Sequence, residues 1–330
     1  MDANCSELYR LLEPRVGRLH LEQRLGIEAD REHLVFGQGR NFFHLENWYS
    51  VHGLIRHSLR LVGLHGRGRR NARRILVRRN EIVLPRLPEA FDGFTLLHLS
   101  DLHVDMDEDF PGVLAERVRD LRYDVCVLTG DYRYLTAGPV EAAIAGMRRL
   151  RTNLVEPVYG VLGNHDSITM VPALEAMGIH MLLNESLALR RGGECLQLAG
   201  IDDPHYYRVD SFERACGGIP PGRLAILLAH SPEVYKQAAH AGFDVMLCGH
   251  THGGQICLPG GVPLMLNARS PRRVCRGAWR HHRMHGYTSA GAGSSIVDIR
   301  LNNLPEVTLH VLRRGKPADA QNGYLRSPRR

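Results

Sequence analysis

Three observations predict an α/β fold in which two β-sheets pack face to face with helices outside them. Five apolar runs each end in an Asp, His or Asn. Helical patterns lie between these runs. From Glu194 onward β-type segments become more frequent, at 195–201, 296–301 and 306–312. Ligand sites of open α/β sheets sit at the carboxyl ends of strands, so the polar exits of the apolar runs mark a candidate site.

Residues 1–90 differ from the rest and read as a basic, partly helical extension. Segments 6–12 and 19–25 suggest short polar helices. In 47–64 (NWYSVHGLIRHSLRLVGL), Trp48, Val51, Ile55, Leu59 and Val62 recur at helical spacing, with Leu54 and Leu61 beside them. His52, Arg56 and Arg60 form the opposite stripe. Arg67, Arg69, Arg70, Arg73, Arg74, Arg78 and Arg79 follow closely. An apolar face followed by arginines fits a helix lying on an anionic membrane surface through residues 47–79. The alternative is a helix packed on the main domain or on a dimer partner, with solvated arginines. Residues 81–88 read as an extended linker or edge strand limited by Pro85 and Pro88.

The main domain is expected over 91–315. Its helical patterns fall at 113–121, 140–150, 172–177 and 232–241, the last with Pro232 after the cap-type Ser231. Residues 316–330 are polar and read as a disordered tail.

A chain of 330 residues can bury a large core. Its net charge of +7 and pI near 9.2 favour anionic partners. Lys236 and Lys316 are the only lysines, so the positive charge is nearly all arginine, which suits bidentate phosphate binding. Codon bias is the plainer explanation. The seven cysteines are odd in number and form no C-x-x-C pair; Cys126 and Cys248 lie in apolar runs. This favours a reducing, cytoplasmic compartment, with peripheral attachment to the inner face of a membrane as the further expectation. The N-terminus has no apolar stretch of signal-peptide length, and no run of about 18 apolar residues predicts a spanning helix.

The strand exits carry the chemistry. Run 95–99 leads into Ser100-Asp101-Leu102-His103, 125–128 into Thr129-Gly130-Asp131, and 158–162 into Gly163-Asn164-His165-Asp166. Run 224–229 ends at His230, and 245–248 leads into Gly249-His250-Thr251-His252. Two imidazoles at i and i+2 at a strand mouth suit a metal, and Gly253 and Gly254 allow close backbone approach. Two surface histidines on a turn are the bland alternative for that pair alone.

Taken in order, Asp101-x-His103, Gly130-Asp131, Gly163-Asn164-His165-Asp166, His230 and Gly249-His250-Thr251-His252 resemble the calcineurin-like metallophosphoesterases over about 94–312. The Gly253-Gly254-Gln255 run, the 200–203 loop and segment 300–309 resemble a bacterial, membrane-associated branch that includes UDP-2,3-diacylglucosamine pyrophosphatases. The resemblance implies a four-layer α/β/β/α sandwich of mixed sheets holding two divalent metals. Asp101, His103 and His252 would hold one metal, Asn164, His230 and His250 the other, and Asp131 would bridge. Mixed oxygen and nitrogen ligands favour Mn, Fe, Zn or Co, with manganese preferred. A hydroxide held between the metals would attack phosphorus, and His165 would protonate the leaving oxygen or stabilise the transition state. Asp166 would orient His165 through its ring N–H.

Arg133 is a candidate phosphate contact or a solvated arginine. A turn role is favoured over substrate contact for Asp202 and Asp203. The leading expectation is a hydrolase of a phosphoester or phosphoanhydride, with a lipid-linked nucleotide pyrophosphate as the finer reading. A phosphodiesterase or nuclease is the runner-up, though the arginine cluster lacks interleaved aromatics. An inactive scaffold on the same fold is the third. Oligomeric state stays open.

Overall fold

The computed structural model describes residues 3–31 and 49–315. The tail expected at 316–330, the start of the expected amphipathic segment at 47–48, and the side chains of Val51, His52 and Leu54 lie outside the described residues.

The helices are α1 (Ala3–Val16), α2 (Arg18–Arg31), α3 (Tyr49–Leu61), α4 (His65–Ala72), α5 (Phe110–Val118), α6 (Glu141–Arg151), α7 (Val171–Ala176), α8 (Phe212–Cys216) and α9 (Tyr235–His240). The first nine strands are β1 (Leu76–Leu84), β2 (Thr95–Leu99), β3 (Val125–Leu128), β4 (Val158–Gly160), β5 (Ile179–Met181), β6 (Glu185–Arg191), β7 (Glu194–Gly200), β8 (Ala225–Leu228) and β9 (Val245–Cys248). After them come β10 (Cys257–Leu258), β11 (Val262–Pro263), β12 (Gly277–His281), β13 (Met284–Thr288) and β14 (Glu306–Arg314).

Two six-stranded sheets form the centre, in the orders β1-β14-β2-β3-β4-β5 and β12-β13-β9-β8-β7-β6. Both are mixed. β2 through β5 run parallel while β14 is antiparallel to β2, and β7, β8, β9 and β13 run parallel while β6 and β12 are antiparallel to their neighbours. Leu96, Val125 and Val127 of the first sheet meet Leu196, Leu198, Ile226 and Val245 of the second in one buried layer. On the outer face of the first sheet, Leu97, Leu99 and Cys126 pack under α1, α5, α6 and α7. On the outer face of the second, Leu227, Met246 and Cys248 pack with Val234, Tyr235 and Ala238 around α9. These are the four α/β/β/α layers. The central strands are apolar throughout because both of their faces are covered.

The N-terminal helices are longer than expected and not polar all round. Leu8, Leu12 and Val16, spaced by four, form a stripe on α1 that joins Leu21 of α2 in the first sheet's outer core. β1 pairs in parallel with β14 at the edge of the first sheet, the edge-strand alternative for this stretch.

α5 starts three residues before the predicted helix, at Phe110, with Pro111 in the first turn, where its missing N–H costs nothing. The expected strand at 296–301 is irregular chain instead: Ile296 has φ 63°, and Leu301 makes an isolated bridge to Ile256. Its alternating apolar residues have another use. Val297, Ile299 and Leu301 are buried against Ile55, Leu59 and Leu64 of the α3–α4 region. Two residues of the expected membrane face are therefore covered by the protein itself, whereas Leu61 and Val62 stand 88% and 64% exposed. Among the described residues no helix is long and apolar enough to cross a membrane.

Candidate metal centre

Five parallel strands deliver the predicted residues to one place. β2, β3 and β4 of the first sheet end at Asp101 and His103, at Asp131, and at Asn164 and His165; β8 and β9 of the second end at His230 and at His250 and His252. All of these side chains are buried. Their ligand atoms form two groups, Asp101–His103–Asp131–His252 and Asp131–His230–His250, each within 4.8 Å of one another, with Asp131 common to both.

The exits are tight, and the backbone shows it. Asp101, His103, Asp131, His250 and His252 all have positive φ, between 42° and 70°, which non-glycine residues rarely adopt. Glycine is required where these loops touch. A Cβ on Gly249 would lie 1.8 Å from Ser100 Oγ and 2.3 Å from Asp101 Oδ2, and one on Gly163 would lie 2.2 Å from Asp131 Oδ1.

Hydrogen bonds fix which atom each residue presents. His103 Nδ1 donates to the Arg133 carbonyl at 2.8 Å and His230 Nδ1 to the Thr129 carbonyl at 2.8 Å, so each turns Nε2 into the centre. Arg300 Nη2 lies 3.2 Å from His252 Nδ1, and Nη1 donates to the His252 carbonyl at 3.0 Å. His252 therefore also presents Nε2, which faces His103 Nε2 at 3.2 Å. In the second group Asn164 Oδ1 lies 2.9 Å from His230 Nε2 and 2.8 Å from His250 Nδ1. Lone pairs converge at these distances, and a cation would bind them all. Buried polar groups so arranged fit divalent metals of borderline softness.

Asp131 Oδ1 accepts the His165 N–H at 2.9 Å. Oδ2 is the oxygen facing both groups, 3.3 Å from His230 Nε2 and 3.8 Å from His103 Nε2.

The electrostatics follow from this crowding. Burial pushes the His230 imidazole down, but the carboxylates of Asp131 and Asp101 outweigh it and lift it to about 10. Asp131 is opposed by burial yet held well below the usual carboxylate range by His230, His165 and His103. Asp101 is raised by burial. His250 and His252 are pushed well down, first by burial and then by His205 and by Arg300 respectively.

Two predicted roles need correction. Asp166 does not serve as the orienting partner of the His165 ring, because its oxygens accept the backbone N–H groups of Asp131, Tyr132 and Gly163, each at 2.8 Å. It ties two strand exits together instead. His165 Nδ1 is held by the Tyr134 carbonyl at 2.5 Å, leaving Nε2 3.9 Å from Asp131 Oδ2. Arg133 is neither solvated nor turned to a phosphate. It is buried, and its guanidinium donates to the carbonyls of His165, Gly138 and Thr136.

Asp203 has the turn role favoured for it, accepting the N–H groups of His205, Tyr206 and Tyr207. Asp202 has a role the sequence did not disclose. It pairs with His20 at 2.9 Å and with Arg24 at 3.2 Å, both on α2. Arg24 is fully buried, lies over the Tyr207 ring and donates to the Asp166 carbonyl at 2.7 Å. Glu28 accepts from Ile168 N at 2.8 Å. The N-terminal helices therefore brace the loop that carries Asn164 and His165. His205, its ring centroid 4.1 Å from that of His250 and tilted to it, with Nδ1 3.1 Å from Glu233 Oε1, and Arg300 were also missed as parts of the site. Only their places after Asp202-Asp203 and in segment 300–309 hinted at them.

Two mixed sheets with a buried His/Asp/Asn cluster at the carboxyl ends of their central strands fit a metallophosphoesterase. Residues 94–254 match the family model described as calcineurin-like phosphoesterase, and the match supports a phosphoester hydrolase. It is 29% identical over 231 residues to the uncharacterized metallophosphoesterase YkoQ of Bacillus subtilis (strain 168), covering 65% of this chain and 82% of that one. It is 26% identical to the phosphodiesterase YaeI of Escherichia coli (strain K12), over 66% of this chain and 81% of that one. It is 29% identical to a transmembrane protein with metallophosphoesterase domain from Bos taurus, over 70% of this chain but 56% of that longer one.

Proposed function

We propose that the protein is a dinuclear metal-dependent hydrolase of phosphodiesters or phosphoanhydrides. The observation that supports this most is the pair of ligand groups sharing Asp131 Oδ2. Asp101, His103 and His252 would hold one cation, Asn164, His230 and His250 the other, and Asp131 both. Bound there, two divalent cations, with manganese preferred, would supply an activated water and neutralise phosphoryl charge. His165, its Nδ1 fixed on the Tyr134 carbonyl, turns Nε2 toward the cluster, which supports the reading that it would protonate a leaving oxygen. A lipid-linked nucleotide pyrophosphate at the inner face of a membrane is the finer substrate reading. It is supported by the exposed Leu61 and Val62 next to Arg56 and Arg60.

The test is Mn²⁺-dependent hydrolysis of bis-p-nitrophenyl phosphate together with metal content. The wild type should bind two transition metals per chain. Asp131→Asn should lose occupancy at both sites and most of the activity. Full metal content and full activity in that variant would overturn the assignment.

A further inference from the structure

Three of the four histidines in the ligand groups have the side away from the centre tied down. His103 and His230 each donate an Nδ1–H to a backbone carbonyl at 2.8 Å, and Arg300 holds His252 at its carbonyl and beside its Nδ1. Such outer contacts set the plane of a ligand ring and so the direction of its lone pair. His250 differs. It turns Nδ1 to the centre, 2.8 Å from Asn164 Oδ1, and its Nε2 is buried with no well-formed hydrogen bond among the described residues. The Asn267 carbonyl bears on this imidazole only after burial and the charges of His205, His230 and Asp131. The Cβ–Cγ torsion of a histidine is broad, so packing must choose the ring plane where hydrogen bonds do not.

Two rings pack on His250. His230 meets it edge-on, with centroids 5.0 Å apart at 74°, but His230 is itself in the ligand group. His205 is not, and it lies closer, at 4.1 Å and 45°. It is buried and held from two sides. The Asp203 carboxylate accepts the N–H groups of His205, Tyr206 and Tyr207 at 3.1, 2.7 and 2.9 Å, which fixes the backbone after β7. Glu233 Oε1 lies 3.1 Å from the buried His205 Nδ1 and is itself held by the Arg269 N–H at 2.6 Å. Glu233 follows His230 by three residues, and β7 and β8 are neighbours in the second sheet. The exits of two adjacent strands thus close on one ring, and that ring lies against His250.

We propose that His205, anchored by Glu233, is a positioning residue for the Asn164–His230–His250 cation: its ring holds the plane of His250 so that Nδ1 stays aimed at that site. The proposal rests on the dinuclear reading above and goes beyond it in placing the control of one site on a side chain outside the ligand groups. His103 and His252 keep ties of their own, so the effect falls on one cation of the two.

The test is calorimetric titration of Mn²⁺ into metal-free, full-length wild type, His250→Ala, His205→Ala, His205→Phe and Glu233→Ala. The wild type should show two binding steps, and His250→Ala identifies the step that belongs to its site. His205→Ala should weaken that same step by about 10–100-fold, as loss of an outer contact to a metal ligand does, and leave the other step unchanged. His205→Phe, which cannot bind a metal but keeps a flat ring against His250, should recover most of the loss. Glu233→Ala should weaken the same step by a smaller factor. Wild-type binding in His205→Ala would overturn the proposal. So would a His205→Phe protein as weak as His205→Ala, since a nitrogen of His205 and not its packing would then be what matters. Equal weakening of both steps would mean that His205 serves the fold and not one site. If His205→Ala does not fold, His205→Phe and Glu233→Ala decide: an unchanged step in Glu233→Ala would overturn the anchoring. A wild type that binds fewer than two Mn²⁺ would instead overturn the dinuclear reading itself.

Discussion

His98 and His310 lie side by side between the sheets, Nδ1 of one 3.2 Å from Nε2 of the other. Asn80 closes one end of this chain at 3.0 Å and Thr129 the other at 2.8 Å, with the Tyr287 ring packed against both imidazoles. Two cations cannot share that space. Burial holds His98 down to about 3 from an ordinary 6.5, and burial and then His98 hold His310 well below its ordinary value. As pH falls the unfolded chain takes up these protons first, so stability present above 6.5 is lost between 6.5 and about 3. Each such histidine can steepen the loss by up to about 1.4 kcal/mol per pH unit. His98→Gln should flatten the acid limb of a denaturation series read against pH, and an unaltered slope would refute the buried pair as its cause. At the centre itself, His165→Ala should keep the metals and lower kcat by about 10²–10⁴-fold. The loss should be smaller for p-nitrophenyl esters, whose leaving group needs little protonation, than for alkyl esters. Equal losses would make His165 a charge stabiliser.

At the scale of elements, α2 braces the loop that carries Asn164 and His165 of the candidate site. Arg24 joins Asp202 after β7 to the Asp166 carbonyl after β4, and Glu28 caps the turn that follows. Removing one partner of a buried ion pair strands the other, at a cost of about 3–5 kcal/mol. Arg24→Ala should therefore lower the thermal midpoint and kcat together, because Asn164 and His165 sit on the loop that loses its brace. Loss of stability with unchanged kcat on the folded fraction would mean that the brace holds the fold and not the site. Deleting residues 1–31 should act in the same direction and more strongly, since it also strips Leu8, Leu12, Val16 and Leu21 from the core. A full-strength enzyme without these helices would show that the loop is set by Asp166 alone.

At the scale of the whole molecule, what could be read in advance was what leaves a local mark. Strands buried on both faces must be apolar throughout, so β2, β3, β8 and β9 were legible, and the Asp, His and Asn residues at their ends marked the site. Arg24 and Asp202 stand far apart in the chain, and no periodicity announces such a pair. Arg133 read as a phosphate contact or a solvated arginine, and nothing local showed that three carbonyls would enclose it. The 296–301 segment alternates like a strand because it packs under α3, not because it joins a ladder. The ligand groups show how the two halves are joined. The first sheet supplies Asp101, His103, Asp131 and Asn164, the second His230, His250 and His252, so each proposed cation would be held from both sheets. A cation that binds only the folded chain stabilises it by mass action, by about 2.7 kcal/mol per site at a hundred times its Kd. For a chain of this size that corresponds to roughly 5 °C. Saturating Mn²⁺ should raise the thermal midpoint by at least that much, and EDTA should reverse it. Asp131→Asn should lose most of the shift, because both groups share that carboxylate, while His165→Ala should keep it. A thermal midpoint indifferent to Mn²⁺ and EDTA would mean that no cation clamps the sheets.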